Sequence, residues 1–545
     1  MPPSSATVHA LKTISEKPKC RFLAEKAPAP SLGAEYLFSV LRANGYPTTV
    51  TFDTHNSSPW APPHMAKTSF DATVSQFDES NCDVLFVSVN TDYFTRALSI
   101  IQAIKKKHPG IITCLGGPHA TYAHKHTIAN ECIDFLCRGE GEIAILEFLD
   151  LIQNKRTSLP QGIYRIGKHG IEGDGFGTLV ADLDALPYPD KSDYYAAIPQ
   201  LRGTYTIITG RGCYMKCTFC NSNTVRNYYR DEGTNFMRRR SVDDVIQELR
   251  LAVERYKPGN IHFCDDTFIY NKKYMAEFAE KYAAEIGLPY FCSSTPHFFD
   301  LDIMSKLTKG GLTYLQVGIQ TLNPDTRKRI FGRPETNENF AKYVAMLKNL
   351  GVHVQLDHIV NPWDSIDSFK QQIDLYSRIR PDWISAFYLM YYPDTQVIDS
   401  ALRGGFVTEA EVEDMYNGKL KDNYFRGSSM EQKDISKIKE LAVLLLLVPW
   451  IPRVIIRLLL HKNLFKILKP IPKTISFPLR FLNALLNKSD IIGRMHVKSL
   501  LRKFLWTKSN VSQQQLDEIK GIARFKNITT IAEGAVPKLR PRRAG

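Results

Sequence analysis

Residues 83–89 read Asp-Val-Leu-Phe-Val-Ser-Val, an almost uninterrupted apolar run of strand length. A strand with one wet face alternates polar and apolar residues. One buried on both faces does not, and such strands belong to parallel sheets covered by helices. The surrounding chain has the matching rhythm. Residues 32–44 are helix-like and end at Gly45, 48–52 are strand-like and 95–107 helical; 110–115 and 133–137 are strand-like, with a helix following to about 152. This alternation predicts a doubly wound parallel sheet over 31–155, with its ligand site at the carboxyl ends of the strands.

The rhythm restarts at Thr204. Strand-like runs occupy 204–209, 260–264, 290–294, 313–319, 352–359 and 383–389, with helical segments between them. Six such units predict a partial (β/α)6 barrel over 204–405, whose chemistry also belongs at the strand carboxyl ends. Ser241, followed by Asp243 and Asp244, is suited to cap the first of its helices. The connection 156–203 is long for a plain loop and predicts a small hairpin around 162–170. Residues 1–30, polar and proline-containing, stay unassigned, and 406–545 form a helical, apolar and basic C-terminal region.

The first strand of the second train runs into Gly210-Arg211-Gly212-Cys213-Tyr214-Met215-Lys216-Cys217-Thr218-Phe219-Cys220. Its two glycines permit a tight turn, and the cysteine spacing can bring three thiolates to one side of a compact loop. Soft thiolates select zinc or iron–sulfur clusters. A cubane cluster normally takes four cysteines, so three would leave one iron open. A zinc site with an unseen fourth ligand, or plain buried thiols, are the alternatives.

C-x-x-x-C-x-x-C after the first strand of a β/α unit resembles the signature of the radical S-adenosylmethionine (SAM) enzymes. The resemblance implies a [4Fe–4S] cluster on Cys213, Cys217 and Cys220 whose open iron chelates SAM, with Phe219 beside the adenine. It further implies that Asp265, in Phe263-Cys264-Asp265-Asp266-Thr267-Phe268, accepts from the SAM amino group, a helix cap being the alternative. Gln320, at the end of the fourth strand, would be directed at SAM, with Thr321 a variant of the family serine. Val360-Asn361-Pro362-Trp363-Asp364 departs from the family's glycine-rich loop, and Tyr392-Pro393-Asp394-Thr395 carries aspartate where the family has glycine.

In the first domain, Gly116-Gly117-Pro118-His119-Ala120-Thr121 and Arg138-Gly139-Glu140-Gly141-Glu142 are similar to the cobalamin-binding domain that precedes the radical SAM domain in one large subclass. That implies a Rossmann-like cobalamin domain, with Ser88, Gly116 and Gly117 at the cofactor; a degenerate domain without cobalamin is the alternative. Many cobalamin domains ligate cobalt through the histidine of D-x-H-x-x-G. Here Asp53-Thr54-His55-Asn56-Ser57-Ser58 lacks the glycine and follows a later strand, so the lower cobalt face is expected to carry no protein histidine. His119 reads as a structural loop residue.

Charge is unevenly spread. Residues 421–545 hold 25 Lys and Arg against 8 Asp and Glu, while the first 420 are nearly balanced. A basic tail argues for an anionic partner. Residues 441–452 carry no charge, but Pro449, Pro452, Arg453 and Arg457 interrupt the 20 or so apolar residues a spanning helix needs. Arg453, Arg457, Lys462, Lys466 and Lys469 can instead form a stripe opposite Leu458, Leu459, Leu464, Phe465, Ile467 and Leu468, as in a helix lying on an anionic membrane. Leu500 to Trp506 repeats the type, and the final Lys538 to Arg543 is a basic end. A helical cap packed on the barrel is the other reading; lysines interleaved with Leu, Ile and Phe suit lipid better than nucleic acid. Ten cysteines in a chain of 545 residues form no small disulfide framework and fit a reducing cytoplasm.

The resemblance implies a cobalamin-dependent radical SAM enzyme that modifies an unactivated carbon of a small-molecule or lipid substrate through a 5′-deoxyadenosyl radical, with methylation as its commonest outcome. A low-potential electron donor would be a partner. Cyclisation or oxidative rearrangement is the alternative, and a non-catalytic cobalamin-binding membrane protein is a different class altogether.

Overall fold

The computed structural model describes residues 17–25, 31–53, 70–231, 233–419, 439–461, 463–468, 476–487 and 489–494. The first sheet has seven strands in the order β2-β1-β3-β4-β5-β6-β7: β1 (Cys20–Glu25), β2 (Thr48–Asp53), β3 (Val84–Ser88), β4 (Ile112–Gly116), β5 (Phe135–Cys137), β6 (Ile163–Gly167) and β7 (Gly170–Glu172). Strands β1 to β5 pair in parallel. The hairpin expected near 162–170 is present as β6 and β7, and it extends the sheet antiparallel from β5.

Both faces of this sheet are covered. Val84 and Phe86 pack with Phe38 and Phe148 on one side, and Leu85 and Val87 pack with Tyr93 and Ile100 on the other. That two-sided burial accounts for the unbroken apolar run of β3. Strand β1, paired on both sides in the sheet, lies in the stretch left unassigned from sequence. Its Cys20, Phe22, Leu23 and Ala24 are buried, but a six-residue strand flanked by polar and proline residues carries little periodic signal of its own.

The second sheet is all parallel, in the order β15-β14-β13-β12-β11-β8. Its strands are β8 (Thr204–Ile207), β11 (Asn260–Phe263), β12 (Tyr290–Ser294), β13 (Leu312–Gln320), β14 (His353–Val360) and β15 (Trp383–Tyr388), which matches the six expected units. Between the first two lies a ribbon not foreseen, β9 (Gly210–Arg211) paired antiparallel with β10 (Arg238–Arg239). Ser241 caps the helix Val242–Tyr256 as expected, accepting from the Asp244 amide.

The tail packs on the barrel. The helix Lys439–Leu447 lies against β15 and the helix Ile366–Ile379, and Leu441, Leu444, Leu445 and Val448 are wholly buried in the barrel's outer core. The uncharged stretch is therefore a packed cap, the other reading of the tail, because its side chains fill a face the sheet and Ile366–Ile379 leave open. In the helix Arg453–His461 the expected apolar face is split. Leu459, with Phe465 and Leu468 beyond it, turns inward, while Leu458, Leu464 and Ile467 are exposed. Among the described residues no helix is long and apolar enough to cross a membrane. His55, Lys462, Lys469, Leu500 to Trp506 and Lys538 to Arg543 lie outside the described residues.

Candidate functional site

The cysteine loop is built from the end of β8. Thr209 is wholly buried, and its amide and hydroxyl both donate to the Asp265 carboxylate, the hydroxyl at 2.7 Å. This joins the ends of β8 and β11. Gly212 then turns at φ +93°, where a Cβ would stand 2.9 Å from Met237 Sδ and 3.0 Å from the Phe236 carbonyl, so only glycine fits.

Cys213, Cys217 and Cys220 follow, before the helix Asn221–Asp231. Arg226 of that helix reaches back and donates to the carbonyls of Cys213, Tyr214 and Met215 at 3.2, 2.8 and 3.1 Å, fixing the loop's shape. The sulfurs have their own partners. The Met215 amide donates to Cys213 Sγ at 3.4 Å, Thr267 Oγ1 lies 3.2 Å from the same sulfur, and Arg333 Nη1 donates to Cys217 Sγ at 3.5 Å. Burial raises the Cys217 thiol pKa and Arg333 opposes it; burial, then Asp266, pushes Cys220 up to about 11. All three cysteines are free.

Among the described residues no three His, Cys, Asp or Glu side chains close on a point as a single ion requires. Three unpaired thiols on one clamped loop, with donors already aimed at two of them, are a donor set that fits a larger iron–sulfur group.

Around this loop the residues singled out from sequence fall unevenly. Phe219 is half-buried with its ring 5.0 Å from that of Phe331. Gln320 ends β13 at φ +69°, and its amide folds back so closely that a Cβ on Gly318 would meet it at 2.6 Å. Asp265 is not a helix cap, since Asn271 caps the helix Lys272–Glu285; its carboxylate is occupied by Thr209. Its exposed neighbour Asp266 accepts from Ser222 Oγ at 2.7 Å. Thr321 turns away into a buried knot, donating to Gln372 Oε1 at 2.8 Å and to Asp364 Oδ2 at 3.2 Å. The unusual loop after β14 supplies that knot, for Asp364 also takes Asn323 and Asn361.

No sequence motif singles out Arg333, yet it is the side chain that joins these parts. Its Nη2 donates to the Gly318 carbonyl and to Glu335 Oε1, both at 2.6 Å, while Nη1 holds Cys217. Arg333 Nε and Glu335 Oε2 are buried with no hydrogen-bond partner. Buried polar atoms left open beside the end of β13 point to a ligand with both an acceptor and a donor.

The other wall is the first domain. Ser88 ends β3, and Gly117 after β4 sits at φ +89°, where a Cβ would meet Ser88 Oγ at 2.8 Å and the Val89 amide at 2.7 Å. At Gly116 a Cβ would find only ordinary contact, 3.6 Å from the Cys137 carbonyl. His119 is buried against Phe94 with ring centroids 4.1 Å apart, and burial lowers its pKa to about 4, in keeping with a structural role. Between the strand ends of both sheets lies a cavity of about 660 Å³, lined among others by Ser88, Gly117, Glu140, Gly210, Arg211 and Asp266. Arg211, two residues before Cys213, ion-pairs across it with Glu140 at 3.0 Å and Glu142 at 2.5 Å.

Comparison with known proteins agrees with this two-part site. The family model of the radical SAM superfamily matches residues 207–372, and that of the B12 binding domain matches 24–149. A curated relative, the uncharacterized methyltransferase PH0819 of Pyrococcus horikoshii, is 24% identical over 390 residues, 68% of this chain and 78% of its own. The fold is similar to that of the cobalamin-dependent SAM radical enzyme OxsB with aqua-cobalamin bound, at TM-score 0.64 and 15% identity over 93% of this chain and 84% of that one. It is also similar to the radical SAM methyltransferase TsrM from Kitasatospora setae with cobalamin and [4Fe–4S] cluster bound, at TM-score 0.56 and 16% identity over 72% and 76% of the two chains. With a B12-binding domain ahead of a radical SAM domain, the chain belongs to the cobalamin-dependent radical SAM enzymes, whose cofactors are a [4Fe–4S] cluster, SAM and cobalamin.

Proposed function

We propose that this enzyme transfers a methyl group to a carbon of a small-molecule substrate, with Cys213, Cys217 and Cys220 holding the cluster. The observation that carries this reading is a cavity of about 660 Å³ lined from the strand ends of both sheets. When bound, the cluster supplies an electron, SAM a cleavable sulfonium, and cobalamin a methyl carrier.

The chain's own residues hold and orient. Arg226 fixes the cysteine loop through three carbonyls. Arg333 tunes Cys217 by a charge-assisted hydrogen bond, and the open Arg333 Nε and Glu335 Oε2 suit the carboxylate and amino ends of SAM. Phe219 offers a face to the adenine, and Gln320 a polar edge. Asp265 acts through Thr209 as a brace. Ser88 and Gly117 form the floor for cobalamin, with Gly116 one residue behind. The proposed units are 31–155 for cobalamin and 204–405 for SAM, joined by 156–203, with β1 added to the first. A low-potential electron donor completes the system.

The test is anaerobic turnover with deuteromethyl-labelled SAM and a small-molecule extract of the source cells. A deuteromethylated product supports methyltransfer. An unlabelled product altered in ring structure or oxidation level would instead establish cyclisation or rearrangement.

A second reading concerns placement in the cell. Val454, Ile455, Leu458 and Ile467 expose apolar side chains on the outer side of the tail, 74%, 44%, 53% and 64% accessible, beside exposed Arg457 and Lys466. That mixture suits peripheral attachment to anionic lipid from the cytoplasmic side, reopening lipid as a substrate class. Flotation with phosphatidylserine vesicles tests it: loss of flotation in Leu458→Glu with Ile467→Glu supports attachment, and a full-length chain that never floats refutes it.

A further inference from the structure

The interior of the half-barrel has a polar layer that nothing above uses. Along β13 and β14, Leu315, Val317, Val354 and Leu356 face the outer helices. The alternating residues Gln316, Gly318, Gln355 and Asp357 therefore face the lumen. Gln316 pairs in register with Gln355. The Asp357 carboxylate accepts from both their amides, from Gln355 Nε2 at 2.9 Å and from Gln316 Nε2 at 2.5 Å. From neighbouring strands the same face carries His262 and Ser293, partly accessible within otherwise buried strands. Gln316 and Asp357 are themselves partly accessible.

Among the described residues no lysine, arginine or histidine pairs with Asp357; its only stabilising partners are the two amides. Burial accordingly pushes its carboxyl up to about 6, with the amides opposing. His262, the histidine on this face, has its pKa lowered by burial to about 4 and stays neutral at physiological pH. A carboxylate fixed by two glutamines but left without a counter-charge is costly unless something cationic joins it. Its depth is telling. Gln316 lies two residues before Gly318, whose carbonyl takes Arg333, and two strand residues span about 6.6 Å. The layer is one step below the atoms that contact Cys217.

We propose that Asp357, held by Gln316 and Gln355, is the anchor for a cationic nitrogen on the substrate, so that the enzyme acts on an amine. This rests on the reading of the Cys217 end of the lumen as the place of the cluster and SAM. An ammonium group can donate to the remaining lone pairs of both Asp357 oxygens, leaving the rest of the molecule pointed up the lumen toward that end. The wall beside it includes Phe291, whose ring stacks on His262 with centroids 4.2 Å apart, so a ring-bearing probe is appropriate.

The test is calorimetric titration of the anaerobically reconstituted full-length chain with three matched probes: phenethylamine, 2-phenylethanol and phenylacetate. A charge-assisted hydrogen bond predicts that the amine binds about tenfold or more tightly than either other probe. Asp357→Asn, or Asp357→Ser if the amide variant does not fold, removes that preference. An amine bound no better than the alcohol, or a preference that survives loss of the carboxylate, overturns the proposal. Cluster absorbance of the wild-type chain, recorded on the same sample, tests the cluster reading separately. A chain with its cluster but without amine preference would refute this inference alone.

Discussion

Arg211 leads from β9 into the cysteine loop, and its guanidinium spans to Glu142, 2.5 Å away at the start of the helix Glu142–Ile152 that follows β5. Glu140, two residues earlier, takes the same guanidinium and is bound from the other side by Arg238. Two loops that belong to different domains are thereby set against each other at the mouth of the shared cavity. The motif Arg-Gly-Glu-Gly-Glu, read from sequence only as a likeness, so acquires a mechanical role. Gly139 permits the approach, since a Cβ there would meet Tyr229 Oη at 2.7 Å.

Arg211→Ala leaves two largely buried carboxylates short of a cation. Breaking one side of a buried pair typically costs about 3–5 kcal/mol. The variant is expected to unfold at lower urea and to bind cobalamin more weakly. Arg211→Lys should recover only part of both, because an ammonium cannot serve two carboxylates as a guanidinium fork does. Equilibrium unfolding beside a cobalamin titration checks this.

The same contact sets an acid limit. Burial alone would raise the Glu140 carboxyl, but Arg211 and Arg238 outweigh it and hold its pKa below the usual value of 4.5. A folded-state pKa below the unfolded one gives stability that is present above the unfolded pKa and lost as pH falls through the folded pKa. Stability should therefore decline as pH falls below that usual value of about 4.5 and through the lower folded-state pKa. In Glu140→Gln that part of the decline disappears. Urea midpoints taken between neutral and acid pH provide the check.

Truncating the chain before Lys439 should be damaging. It strips Leu441, Leu444, Leu445 and Val448 from the barrel's outer core, and one buried Leu→Ala change alone costs about 2–5 kcal/mol. Leu444→Ala is the milder test, with a lowered thermal midpoint expected and no loss of iron at low temperature. A truncated chain as stable as the full one would contradict the packed-cap assignment.

Much of this was legible because periodicity reports burial. The unbroken apolar runs gave the parallel strands, and the cysteine spacing with its glycines marked the loop. What stayed hidden depends on contacts distant in sequence. Arg333 meets Cys217 across 116 residues, and Asp357 meets Gln316 across 41, so neither pairing leaves a local pattern. The tail misled for a related reason. An apolar run says that it is buried without saying whether protein or lipid covers it, and for Leu441 to Val448 the cover is the barrel. Asp265 stood in a motif, but its partner Thr209 decides its role.

Gly332 offers a local probe of the loop. It sits at φ +66°, and a Cβ would stand 2.7 Å from the Lys216 carbonyl. Gly332→Ala therefore pushes the backbone between Cys213 and Cys217 while leaving the strands untouched. Circular dichroism should be unchanged, and iron retained after gel filtration should fall. Full iron retention would mean the loop yields without cost.

The most direct test of the account is iron and absorbance on the three cysteines. Anaerobically reconstituted wild-type chain should hold about four irons, as a cubane cluster requires, and its reduced-state paramagnetic spectrum should shift on adding SAM. Replacing Cys213, Cys217 and Cys220 with alanine should abolish the iron, the absorbance and the SAM-dependent shift together. A triple variant that still binds four irons with the same spectrum would contradict the assignment of the site.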